Sequence, residues 1–185
     1  MQQAYVFGYG SLVNAATHDF GTVHPARLSG WRRTWRHVQG RSVAFLTIVR
    51  DETTEIDGAL AAVPGENWSA LDERERSYVR EPATRLAHKV SAATDVRLYH
   101  APEDLHLPHS GHHPILLSYL DVVVQGYLRL GDEGAVSDFF RTTDGWDAPV
   151  LNDRADPRYP RHQRLSPAEQ ALVDDQLARV GAAVI

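Results

Sequence analysis

The segment Tyr5-Val6-Phe7-Gly8-Tyr9-Gly10-Ser11-Leu12 constrains this chain more than any other. Three β-favouring residues run into two glycines that flank a tyrosine, which predicts a buried first strand ending in a loop whose backbone comes close to another group. Glycines at a strand end leave N–H groups uncovered by side chains, and the Ser11 hydroxyl adds a donor that can aim at the same point. Such a loop suits a carboxylate or phosphate ligand. A Gly-rich turn after an ordinary strand fits the tripeptide Gly8-Tyr9-Gly10 equally well.

Behind that strand stand 185 residues, 43% hydrophobic and 23% charged, enough for a single domain over residues 1–185 with a sizeable core. The net charge of −5 argues against a nucleic-acid binder or a polybasic membrane surface, so an anionic ligand would be held locally. The absence of cysteine excludes disulfides, a thiol nucleophile and a Cys-based zinc site. The N-terminus lacks a basic start followed by an apolar run, and no stretch nears the roughly 18 apolar residues of a membrane span. A cytoplasmic protein is expected, and its oligomeric state is left open.

Along the chain, Val13–Phe20 reads as a connector and Val23–Leu28 as a strand. Trp31-Arg32-Arg33-Thr34-Trp35-Arg36 interleaves aromatics with arginines, a pattern compatible with base stacking. Given the acidic total, it is read as a strand with buried tryptophan rings covered by arginine stems. Ser42–Arg50 and Ile56–Val63 read as a hairpin across the polar loop Asp51–Glu55, with Gly58 at a close approach or bulge.

After Pro64-Gly65, Asn67 or Ser69 can cap a helix in which Leu71, Asp72, Glu75 and Tyr78, spaced three and four apart, share one face. Glu73, Arg74 and Arg76 read as solvated surface. Glu75, flanked by Leu71 and Tyr78, is the carboxylate to be drawn into an apolar pocket, where desolvation raises its pKa into the range of a proton shuttle. The alternative is a glutamate paired with an arginine such as Arg80.

Arg80–His88 and Asp95–Tyr99 read as further strands, followed by an exposed loop, Ala101–Pro114, with His106, His109, His112 and His113. Clustered imidazoles raise a metal site, but no Asp, Glu or Cys in that run completes a familiar ligand spacing, and none is assigned. Ile115–Arg129 reads as a core helix with Tyr119 facing inward and Gly131 near its end, and Ala135–Arg141 as another helix. The stretch to Arg164 reads as surface-hugging. Ser166-Pro167-Ala168-Glu169 then opens a C-terminal helix over Pro167–Val180.

The pairing of Phe7-Gly8-Tyr9-Gly10-Ser11-Leu12 with Leu71-Asp72-x-x-Glu75-x-x-Tyr78 resembles the γ-glutamylcyclotransferase superfamily, with its ChaC-like and AIG2-like members. Ser118-Tyr119-Leu120-Asp121, Gly126-Tyr127 and Asn152-Asp153-Arg154 through Tyr159 are similar to bacterial members, while the histidine loop has no counterpart. The resemblance implies an α+β fold, a small, strongly curved mixed sheet or partial barrel with peripheral helices. It implies that Tyr9, Gly10, Ser11 and Leu12 hold a glutamyl group and that Glu75 is the acid/base. Gly8, Tyr78 and Tyr119 complete the expected substrate-binding set.

The implied reaction is intramolecular: the α-amine of a γ-glutamyl compound attacks its own γ-carbonyl, closing 5-oxoproline and releasing an amine, with no cofactor. A non-catalytic carboxylate- or phosphate-binding module would keep the glycine loop without needing Glu75. A nucleotide site fits poorly, because the P-loop lysine, its glycine spacing and the βαβ context are missing.

Overall fold

The computed structural model describes residues 3–38, 41–107 and 113–185. Its first strand, β1 (Gln3–Gly8), is buried from Ala4 onward. That matches an uninterrupted apolar run, because a strand covered on both faces has no polar side to alternate with. Two turns of 3₁₀ helix follow at Ser11–Val13 and Ala15–Thr17. Next come β2 (Val23–Val38) and β3 (Phe45–Ala62), paired antiparallel from Val23 opposite Ala61 to Arg36 opposite Phe45. After α1 (Trp68–Arg74), the chain forms β4 (Val79–Pro82), β5 (Leu86–His88), β6 (Ala93–His100) and the short β7 (His106–Leu107).

The main sheet runs β4-β6-β1-β3-β2-β5, with β1 parallel to β6 and antiparallel to β3. Laid flat, six strands would span about 24 Å at a spacing of about 4.8 Å. Yet β4 and β5, at opposite ends of the order, are separated only by residues 83–85, which reach at most about 14 Å from Pro82 to Leu86. The sheet therefore curls into a half-barrel, the α+β architecture expected. The single strand expected over Arg80–His88 is two strands because the chain crosses here from one sheet edge to the other, with Arg85 at φ 60°.

The hairpin expected within residues 42–63 is a single strand. Both halves of β3 pair with β2, and the polar residues Asp51–Thr54 form an excursion opposite Gly30, whose φ is 85°. The Asp51 carboxylate accepts from the Thr53 N–H and from the Thr53 and Thr54 hydroxyls, closing a local turn after which the chain resumes its direction. Gly58 is the close approach expected, since a Cβ there would lie 2.5 Å from the Gly8 carbonyl oxygen and from the Phe7 ring.

β2 corrects a second expectation. Trp31, Arg33 and Trp35 alternate onto one face, so Arg33 points into the core with both tryptophans and all three are buried. Its guanidinium donates to the Thr142 hydroxyl, the Tyr127 hydroxyl and the Asp57 carbonyl. Arg32, on the opposite face, forms the surface pair with Asp144.

The core helix is α2 (Leu117–Leu130), preceded by β8 (Ile115–Leu116), so the helix starts later than Ile115. It packs on the first loop: the Asn14 amide donates to the Val122 carbonyl and to Gln125, and a Cβ at Gly126 would lie 2.8 Å from the Asn14 nitrogen. Beyond it are α3 (Glu133–Arg141), capped by Asp132, and β9 (Thr143–Asp144) against β2. β10 (Val150–Leu151) pairs with β8, and α4 (Pro167–Arg179) opens with the expected Ser166–Glu169 capping box. Among the described residues no helix is long and apolar enough to cross a membrane.

Candidate functional site

The site forms where β1 ends. Gly8, Tyr9, Gly10, Ser11, Leu12, Glu75, Tyr78 and Tyr119 all line one recess of about 50 Å³, together with Phe7, Leu46 and Tyr99. The loop is fixed from below. The Tyr9 carbonyl accepts from the Tyr127 hydroxyl at 2.9 Å, and that hydroxyl in turn accepts from Arg33 at 2.8 Å. A planar trans peptide with its carbonyl held on the core side must aim the Gly10 N–H the opposite way.

The glycines admit the protein's own atoms. A Cβ at Gly8 would lie 2.5 Å from that of Leu12, and one at Gly10 would lie 2.6 Å from the Tyr119 hydroxyl. The Ser11 N–H acts on that same hydroxyl, so a phenol oxygen sits among the loop's donors. Burial pushes the Tyr119 pKa well above the ordinary tyrosine value. The other two predicted tyrosines use their hydroxyls structurally: Tyr9 donates to the Tyr99 carbonyl at 2.7 Å, and Tyr78 to the Leu46 carbonyl at 2.9 Å.

The helical face expected to carry Leu71, Asp72, Glu75 and Tyr78 does not persist. α1 is capped by Asn67 and ends at Arg74; Glu75 is the C-cap, with φ −102° and ψ 26°. A tight turn, closed by the Tyr78 N–H donating to the Glu75 carbonyl at 2.7 Å, brings both side chains to the recess. Asp72 is drawn elsewhere, accepting from the Tyr99 hydroxyl and pairing with Arg80. The cation beside Glu75 is therefore Arg74, whose Nε lies 3.1 Å from the carboxylate, and Arg74 is largely buried rather than a solvated surface residue. Burial raises the Glu75 pKa above the ordinary carboxylate value, against the opposing charges of Arg74, Arg161 and Arg41.

Those arginines line an outer chamber of about 230 Å³, which shares Ser11, Leu46, Glu75, Tyr78 and Tyr119 with the recess. Tyr159 also lines it, edge-on to Tyr119 with ring centroids 5.0 Å apart. Asp153 sets that contact. Its carboxylate accepts from the N–H and hydroxyl of Ser118 at the start of α2 and from the Arg158 N–H, while the Tyr159 N–H donates to the Ser118 hydroxyl. Burial acts to raise the Asp153 pKa, but these hydrogen bonds outweigh it and hold the carboxyl below its usual range.

Sequence reasoning missed Leu46, Tyr99, Arg41 and Arg161 as lining residues. Arg74 had a usable signal, its adjacency to Glu75. Of the histidine loop, His106 pairs in β7 with Val38 and His113 stacks on His37, while His109 and His112 lie outside the described residues. Among the described residues no three metal-binding side chains converge.

The family described as gamma-glutamyl cyclotransferase, AIG2-like, matches residues 6–119, a span that contains the glycine loop, Glu75, Tyr78 and Tyr119. The chain belongs to this family. No curated protein sequence matches it significantly. Among solved structures it is similar to the human uncharacterized protein loc79017, with TM-score 0.61 and 16% identity over 94% of this chain and 99% of that one. It is similar to a protein described as a gamma-glutamyl cyclotransferase, with TM-score 0.60 and 14% identity over 94% and 99% of the two chains. YkqA from Bacillus subtilis matches at TM-score 0.57 and 17% identity, covering 76% of this chain and 54% of that one. At such identities these likenesses establish a shared fold.

Proposed function

We propose that this protein catalyses intramolecular cyclotransfer on a γ-glutamyl compound, releasing 5-oxoproline and an amine. The observation that carries this reading is the convergence, in one recess, of a half-buried carboxylate with a raised pKa and a glycine loop whose Gly10 N–H points away from the core. In the reaction the α-amine nitrogen bonds to the γ-carbonyl carbon, and the C–N bond of the γ-amide breaks. Glu75 takes one proton from the α-ammonium, whose ordinary pKa is roughly 8, before attack and a second from the ring nitrogen after it, and passes both to the departing amine, which leaves as an ammonium. Atoms balance without water or cofactor.

Because nucleophile and electrophile belong to one molecule, holding it folded back supplies several kcal/mol of the barrier. The Gly10–Leu12 segment takes that role by clamping the α-carboxylate or the developing oxyanion. A binding module would need the loop but not a carboxylate destabilised by burial, which favours the enzyme.

The test is release of 5-oxoproline from a γ-glutamyl dipeptide, its N-acetyl form and its α-methyl ester. Acetylation removes the nucleophile and should abolish the reaction. Esterification removes one charge-assisted hydrogen-bond partner and should lower kcat/KM roughly ten- to a hundredfold. Failure of every γ-glutamyl compound to cyclise would overturn the reading, and an ester cyclised at full rate would mean that the loop does not hold the carboxylate.

A further inference from the structure

The outer chamber brings together the side chains of Arg41, Arg74 and Arg161, and among the described residues that line it the single carboxylate is Glu75. In a chain with 24 acidic and 19 basic residues, three neighbouring cations served by one carboxylate need an explanation. Many arginines elsewhere have an acid each, as Arg27 has Asp57, Arg32 Asp144, Arg50 Glu81 and Arg154 Asp121. Here they do not. Arg41 donates to a neutral acceptor, the Ser77 hydroxyl. Arg74 places its Nε 3.1 Å from the Glu75 carboxylate and so takes up the acid that the chamber offers. Among the described residues no hydrogen bond or ion pair engages the Arg161 guanidinium.

We propose that this chamber is an anion-binding subsite for the departing half of the substrate, and that the preferred substrates are γ-glutamyl compounds whose amine portion carries two carboxylates. The inference rests on the cyclotransfer reading of the inner recess. With the glutamyl end clamped by the loop and the γ-amide beside Glu75, the amine portion extends into the chamber that Glu75 and Tyr119 share with the recess. Three guanidiniums against one carboxylate leave two positive charges when Glu75 is ionised, and two leaving-group carboxylates neutralise them. The planar donor fork of arginine matches a carboxylate in geometry as well as charge. A cationic leaving group, such as a diamine, would be repelled.

The experiment is a panel of γ-glutamyl-glutamate, γ-glutamyl-alanine, γ-glutamyl-ethylamide and γ-glutamyl-putrescine, assayed for released 5-oxoproline with the parent protein and with Arg41→Gln and Arg161→Gln. Arg74 is left unchanged because it touches Glu75. The expected kcat/KM falls in the order given, by about tenfold or more per carboxylate removed, and the preference for γ-glutamyl-glutamate over the ethylamide shrinks in both variants. Equal turnover across the panel, or a preference that survives both substitutions, would overturn the subsite. Calorimetric binding of glutarate separates this from failure of the reaction itself. If nothing is cyclised, weaker glutarate binding in the variants keeps the anion subsite while the cyclotransfer reading falls, and unchanged binding overturns both.

Discussion

Two carboxylates sheltered from solvent, Glu75 at the recess and Asp153 behind it, meet opposite fates. Asp153 accepts hydrogen bonds from the Ser118 N–H and hydroxyl and from the Arg158 N–H, and its pKa is pressed down despite burial. Glu75 faces phenol rings and the Arg74 guanidinium, burial outweighs the opposing positive charge, and its pKa is pushed up. Burial alone decides neither the charge nor the task of an acid. What decides is the number of donors the fold supplies to the ionised form. Asp153 ties a loop to the start of α2, whereas Glu75 receives no backbone donors among the described residues, which suits the proton transfer proposed for it.

The largest effect that can break this comparison is on turnover. Glu75→Gln keeps shape and removes proton transfer, so kcat/KM on a confirmed γ-glutamyl substrate should fall by about 10²–10⁴-fold. Retention of the parental rate would remove Glu75 from the mechanism. Asp153→Ala should act mainly on stability, because stranding buried donors costs about 1–3 kcal/mol each. Chemical denaturation should therefore show a lowered midpoint, and the residual folded protein should lose activity through displacement of Tyr159.

The smallest effect is a difference in sign. A carboxyl raised in the folded state contributes stability that is fully present below its unfolded pKa and lost as pH rises through the folded value. For Glu75 that shift already includes the pull of Arg74. Glu75→Gln should thus be at least as stable as the parent at neutral pH, with the two melting temperatures converging as the pH falls towards the ordinary carboxylate value. Asp153, lowered in the fold, contributes stability above its unfolded pKa that is lost on acidification. Its Asn variant should be less stable than the parent at neutral pH, and that deficit should shrink in acid. Parallel pH–melting curves for the two Gln and Asn variants would mean that the carboxylates do not differ as described.

The inner recess was legible in sequence because it is built from punctuation and short-range spacing: two glycines after an apolar run, then a glutamate and a tyrosine three residues apart. Their arrival at one point did not depend on the helical face from which it was inferred, since α1 stops at Arg74. The outer chamber was not legible. Arg41 and Arg161 lie over a hundred residues apart, and a charged residue is read as solvated unless something marks it as buried. For Arg33 such a mark existed in the alternation Trp31, Arg33, Trp35, which places a guanidinium with two indoles on one face. The polar run Asp51–Thr54 looked like a reversal because turn chemistry is local, whereas whether a chain turns back is settled by its partner, and both halves of β3 have the same one.

The parallel pairing of β1 with β6 also governs when the recess can exist. Tyr5 sits opposite Val96, so this contact closes a loop of some ninety residues, and the docking of α2 closes a longer one. The β2–β3 ribbon, by contrast, joins neighbours in sequence and can form early. Loop-closure entropy makes the distant pairings late and slow, so the glycine loop gains its shape only in the last stage of assembly. In a refolding time course, hydrogen-exchange protection of the β2–β3 amides should precede recovery of turnover. Simultaneous recovery would show that the molecule assembles in one step.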